Sequence, residues 1–128
     1  MCGAMSPVSD GSAAEERTRK IFKAQGFQVQ IPDLVVSKDG KAMCVEVKDK
    51  AEPFSPPPFW GHGLDKSQIW LRTQLLEQTG MRTYLIVYEK SGRIYGQYLD
   101  KLEAGSFFDT RKGVRIYPIE AFKILKSP

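Results

Sequence analysis

The stretch IPDLVVSKDGKAMCVEVK, residues 31–48, holds three groups able to do chemistry: the carboxylates of Asp33 and Glu46 and the ammonium of Lys48. Leu34, Val36, Met43, Val45 and Val47 alternate with Asp33, Val35, Cys44, Glu46 and Lys48 on the two sides of KDGK, a period of two that predicts paired strands. Asp39-Gly40 is a strong two-residue hairpin signal, because both central residues of a type I′ turn need positive φ. With those two residues as the loop, partner numbers sum to 79, so Val36 pairs with Met43, Leu34 with Val45 and Asp33 with Glu46. Cross-strand partners have β-carbons about 4.5–5.5 Å apart, and like charges so placed destabilise a sheet. A divalent cation between the carboxylates would offset that repulsion. Hard oxygen ligands, in a chain with one histidine, favour Mg2+ or Mn2+ over zinc. Lys48 lies two residues beyond Glu46 and therefore on the same strand face.

The elements that must position these groups can be read on either side. Ser12 and Glu15 form an S-x-x-E capping box and Gly26 offers a left-handed stop, which predicts a helix from Ala13 to Gln25. Its expected inward stripe is Ala14, Thr18, Ile21 and Phe22, with Glu15 close to that face and Glu16 outside with Lys20 and Lys23. Residues 1–11 are small and polar and read as a flexible N-terminus, leaving residues 12–128 as one domain. Phe27–Gln30 reads as a short strand. From Asp49 to Gly63 the proline- and glycine-rich text DKAEPFSPPPFWGHG predicts a long loop rather than a regular element. Asp65 with Gln68 reads as the cap of a second helix running to Gln78, with Ile69, Leu71, Leu75 and Leu76 apolar and Gly80 as the stop. RTYLIVYE is then a largely buried strand, Ser91-Gly92 a turn, RIYGQYL a strand, residues 100–104 a helical turn, FFDTRKG a loop, and VRIYPIEAFKI a last extended segment.

Composition sets the frame. At 128 residues and 41% hydrophobic, the chain suits one core. It has no apolar run near the length of a membrane span and no basic start leading into an apolar segment, so the expected location is the cytoplasm. Cys2 and Cys44 form neither a disulfide framework nor a zinc set. The net charge of +4 is uneven: residues 82–128 carry nine Lys or Arg against five acids, and residues 31–81 six against seven. A basic surface apart from an acidic pocket suits a phosphodiester substrate, although on charge alone ordinary solubility is the simpler explanation. The candidate nucleic-acid contacts are His62, Trp60 and the cations Lys50, Lys66, Arg72, Arg111, Lys112 and Arg115. The plainer alternatives are a structural histidine, an aromatic at the core edge and a solvated basic loop.

The order helix, strand, hairpin, helix, strand, with Pro32-Asp33 and Glu46-Val47-Lys48 in the form PD-x12-E-x-K, resembles the PD-(D/E)XK nuclease superfamily. The resemblance implies an α/β fold with a restriction-endonuclease-like PD-(D/E)XK core, a central mixed β-sheet flanked by helices. It implies that Asp33 and Glu46, with the Val47 carbonyl, ligate Mg2+ or Mn2+, and that Lys48 orients water and steadies transition-state charge. EERTRKIFKAQGF is similar to the first helix of Holliday-junction resolvases, whose metal-site glutamate precedes a Gly-Phe by about eleven residues; that spacing selects Glu15. VEVKDKAEPFSPPPFWGHGLDKSQIWL is similar to the bacterial resolvase pattern, in which the matching residue Gln68 opens a helix near the scissile phosphate. The likeness covers about residues 13–103. The interval from Asp33 to Glu46 is too short for the stalk of the bacterial enzymes, so the likeness is to compact phage-encoded or archaeal forms. It implies a metal-dependent endonuclease selective for branched DNA, of the recombination and repair kind, acting as a homodimer. A nuclease on linear, nicked or flap DNA and a DNA-binding module without cleavage are the two other readings.

Overall fold

The computed structural model describes residues 7–128, with side chains from residue 13 onward, and the chain divides into two compact units, Met1–Ile31 and Pro32–Pro128. In the first, helix α1 spans Pro7–Ala24 and so begins before the predicted capping box. The expected flexible stretch thus falls partly in this helix and partly, at residues 1–6, outside the described residues. Gly26, at φ 89°, ends the helix as expected: its N–H donates to the Lys23 carbonyl, and the Phe27 N–H donates to the Phe22 carbonyl at 3.0 Å. That pair of bonds is a Schellman stop, and the Phe22 and Phe27 rings supply its hydrophobic contact, edge to face at 5.4 Å. The apolar stripe is not buried: Ile21 is 57% and Phe22 44% exposed, and the Thr18 hydroxyl donates back to the Ala14 carbonyl. Residues 27–30 form no strand, since Phe27 is spent on closing the helix.

The second unit is α/β. Strands β1 (Leu34–Lys38) and β2 (Lys41–Ala51) form the predicted hairpin, antiparallel in the register Leu34↔Val45, Val36↔Met43 and Lys38↔Lys41. Asp39 and Gly40 both have positive φ, 52° and 78°, as the turn requires. Strand β4 (Thr83–Glu89) pairs in parallel with β2, β5 (Ile94–Tyr98) antiparallel with β4, and β8 (Lys123–Lys126) antiparallel with β5. The mixed sheet therefore runs β1-β2-β4-β5-β8. A second antiparallel sheet has β7 (Val114–Pro118) between β3 (Gly61–Asp65) and β6 (Phe108–Asp109). Parallel pairing of β2 with β4 demands a long crossover. The proline segment, β3 and helix α2 (Lys66–Thr79) provide it.

Strand β3 and strand β6 lie in text that reads as loop. Gly61 and Gly63 leave no side-chain pattern to detect, yet they are what lets β3 sit against β7: a β-carbon on Gly61 would overlap the Tyr117 carbonyl, and one on Gly63 would lie 2.6 Å from the Arg115 carbonyl. The core gathers Leu64 of β3, Ile69 of α2, Leu85 and Val87 of β4, Tyr95 of β5, Leu99 and Leu102 of helix α3 (Leu99–Ala104), Tyr117 and Phe122. Helix α2 ends as expected at Gly80, in left-handed conformation, with its N–H donating to the Leu76 carbonyl. Asp65 precedes the helix but makes no side-chain cap.

Candidate active site

The hairpin register does what the sequence requires of it. Ladder pairing stops at Leu34↔Val45, and Asp33, one residue before β1, turns its carboxylate onto β2, where Oδ2 accepts the Val47 N–H at 2.8 Å. The Asp33 N–H lies 3.4 Å from Oε2 of Glu46. The two acids therefore meet at the open end of the hairpin, each touching the other's strand. Cys44 and Glu46 are buried and Lys48 half-buried on one face of β2, while Val47 points the other way and is exposed. Just beyond, the register shifts between Lys48 and Ala51, and Lys50 takes a positive φ of 53° with its N–H on Oδ1 of Asp49. The β2–β4 ladder is thus irregular directly after Lys48.

Glu46 is 2% exposed, and its other oxygen, Oε1, accepts the Nε–H of Arg72 at 2.7 Å; both side chains are 3% exposed. Burial pushes the Glu46 carboxyl above the usual carboxylate range, Arg72 opposes that shift, and Asp33 adds to it. Arg72 thus does not belong to a DNA-facing surface, as its charge alone suggests. Its place in α2 explains why: it follows buried Ile69 by three residues, on the helix's inward face, where a charge needs a buried partner. Gln68 sits one turn earlier than Arg72 on the same side of α2 and is half-buried.

The other sequence candidates separate clearly. His62 is not a nucleic-acid contact: it is 2% exposed, its Nε2 is 2.6 Å from Oε2 of Glu89, and the Tyr95 and Phe122 rings lie 5.7 and 6.1 Å away. Strand β3 alone accounts for this, since pairing His62 with Tyr117 puts the imidazole inside the molecule. Arg115 is held by carboxylates, with Nε on Asp109 at 2.7 Å and Nη1 on Glu103 at 2.8 Å, and it stacks on Phe107. Lys66 lies 3.6 Å from Asp109. Lys50, Arg111 and Lys112 are exposed, and Trp60 is 53% exposed, so these four are open to a partner. Glu15 belongs to the unit Met1–Ile31, where it is exposed and 3.9 Å from Arg19.

The donor chemistry at Asp33 and Glu46 fits a hard divalent cation: two carboxylates, each hydrogen-bonded to the backbone at the other's strand. Among the described residues no cluster of three or more His, Cys, Asp or Glu side chains accompanies them. A cleft of about 840 Å³ near the hairpin turn, lined by residues including Lys38, Lys41, Met43, Arg82 and Tyr98, contains none of the candidate site residues. Among the described residues, no helix is long and apolar enough to cross a membrane.

No family model matches the chain, and no curated protein does. Among solved structures it is similar to Hjc, a Holliday junction resolvase from the archaeal hyperthermophile Archaeoglobus fulgidus, with a TM-score of 0.49 and 13% identity over 91% of this chain and 92% of that one.

Proposed function

We propose that this protein is a divalent-metal-dependent DNA endonuclease acting on branched DNA, with residues 12–128 working as one nuclease domain. The observation that carries the reading is the meeting of Asp33 and Glu46 at the open end of a hairpin, with Lys48 on the face of Glu46. Like charges brought together at a strand end cost stability, and a site for a cation gives them a use. Asp33, Glu46 and the Val47 carbonyl would hold Mg2+ or Mn2+. When bound, the ion supplies Lewis acidity toward the phosphate and lowers the pKa of water. Lys48 orients the attacking water and stabilises the charge that builds on the phosphoryl oxygens, and Gln68 holds the phosphate or that water. Lys50, Arg111, Lys112 and Trp60 contact the DNA outside the site, by charge and by stacking on unpaired bases. A homodimer would cut two opposed strands together.

A DNA-binding module without cleavage is the second reading, and one observation favours it: Arg72 already supplies Glu46 with a positive partner. Incubating four-way, flap, nicked and linear DNA with the protein, with and without Mg2+, separates the possibilities. The expected outcome is Mg2+-dependent cleavage of the four-way junction in preference to linear duplex. Equal rates on junction and linear DNA would remove the preference for branches, and binding without cleavage of any substrate would favour the module.

A further inference from the structure

Among the described residues, an ionic contact joins helix α2 to strand β2, and it falls on a residue of the candidate site. Arg72 reaches Oε1 of Glu46 at 2.7 Å with both side chains 3% exposed, while Oε2 faces the Asp33 backbone at 3.4 Å. Breaking such a buried pair is costly, yet well-packed apolar residues of similar volume often serve stability as well or better. The neighbouring inward position of α2 is the apolar Ile69, 4% exposed. This ionic contact thus falls on the acid whose orientation and charge matter to the site.

We propose that Arg72 is a positioning residue and built-in counter-cation of the acid pair, anchoring Oε1 of Glu46 and leaving Oε2 toward Asp33 while offsetting one of the two negative charges. This rests on the reading of Asp33 and Glu46 as the metal-holding site. Two consequences follow. The carboxylate of Glu46 is presented through a single oxygen, because the other is engaged by Arg72. A dication approaching the free protein meets a partly neutralised pair and is repelled by the guanidinium, so it binds weakly until a DNA phosphate joins it.

The test is Mn2+ binding to the full-length protein without DNA, followed by calorimetry and by the electron-spin signal of free Mn2+. Arg72→Gln can still donate a hydrogen bond to Oε1 but carries no charge, so it should tighten Mn2+ on the order of tenfold. Arg72→Lys keeps the charge and should stay within about twofold of wild type. Unchanged or weaker binding by Arg72→Gln would overturn the proposal, as would a Lys variant that tightens as much as Gln is expected to. The Lys variant keeps the question decidable if Arg72→Gln does not fold. Asp33→Asn is the control for the underlying reading: if it leaves Mn2+ binding untouched, the acid pair is not the metal site. If Asp33→Asn weakens binding and Arg72→Gln does not tighten it, the role of Arg72 alone fails.

Discussion

Asp33 has two roles that one substitution can separate. Its Oδ2 anchors the Val47 N–H, and its charge faces Glu46. Asp33→Asn keeps a carbonyl oxygen for the Val47 bond, so stability should change by only about 1 kcal/mol or less. Thermal melts check this; a larger loss would mean that the carboxylate's charge stabilises the fold. At Glu46 the same substitution is less separable, because Glu46→Gln keeps an acceptor for the Arg72 Nε–H but removes the negative charge facing a buried guanidinium. His62 offers the contrasting case. His62→Ala removes a buried ring from Tyr95 and Phe122 and takes the imidazole from Oε2 of Glu89, whose Oε1 keeps the Ser91 hydroxyl, at an expected cost of about 2–4 kcal/mol. DNA affinity of the folded protein should stay unchanged, as measured by titration below the melting temperature. A drop in affinity with no change in stability would contradict the buried placement.

Among the elements, β3 and β7 make the sharpest demand on sequence. Gly61→Ala drives a β-carbon into the Tyr117 carbonyl, a backbone atom that can yield only by moving β7, and should cost about 1–3 kcal/mol or more. Denaturant unfolding checks this. In the same sheet, Arg115 holds the Asp109 carboxyl below its usual range through their hydrogen bond. A depressed folded pKa means that the unfolded chain binds the proton more readily. The contribution is therefore present above the unfolded carboxylate pKa, near 4, and is lost as pH falls through the lower folded value. Arg115→Gln should flatten the fall of stability with acid in that window, as read from melting temperatures between about pH 2 and pH 5; an unchanged profile would contradict it. What the sequence discloses differs between elements for physical reasons. The turn and register of the hairpin were legible because Asp39-Gly40 fixes both, whereas its ends were not: pairing stops at Leu34↔Val45 and β2 runs on to Ala51. Strand β3 was not, because close approach replaced side-chain pattern with glycine. The capping box at Ser12 was overridden by a helix that starts at Pro7. Arg72 was legible in principle: a cation three residues after Ile69 on an inward helix face announces a buried acid, and Glu46 was already marked on the neighbouring strand.

For the whole molecule, fewer cations are open to a partner than the count of Lys and Arg suggests, although pairing leaves the net charge of +4 unchanged. Arg72, Arg82 and Arg115 are paired with Glu46, Asp100, and Asp109 with Glu103, respectively. The exposed loop cations Arg111 and Lys112 are the ones free to meet a phosphate backbone among those the sequence singles out in the tail. Replacing both with Gln should weaken binding to every DNA alike and lower the salt dependence of log K by about 2 units of slope, close to one per lost phosphate contact. An unchanged slope would return them to a solvated loop. The central claim, that the Asp33–Glu46 end of the hairpin hydrolyses DNA, is tested most directly by comparing wild type with Asp33→Asn on one labelled four-way junction. Cleavage is followed in Mg2+ and binding in its absence. The account predicts Mg2+-dependent cutting by wild type, at least about a hundredfold less by Asp33→Asn, and affinities within about twofold of each other. Cutting by Asp33→Asn at the wild-type rate would contradict it.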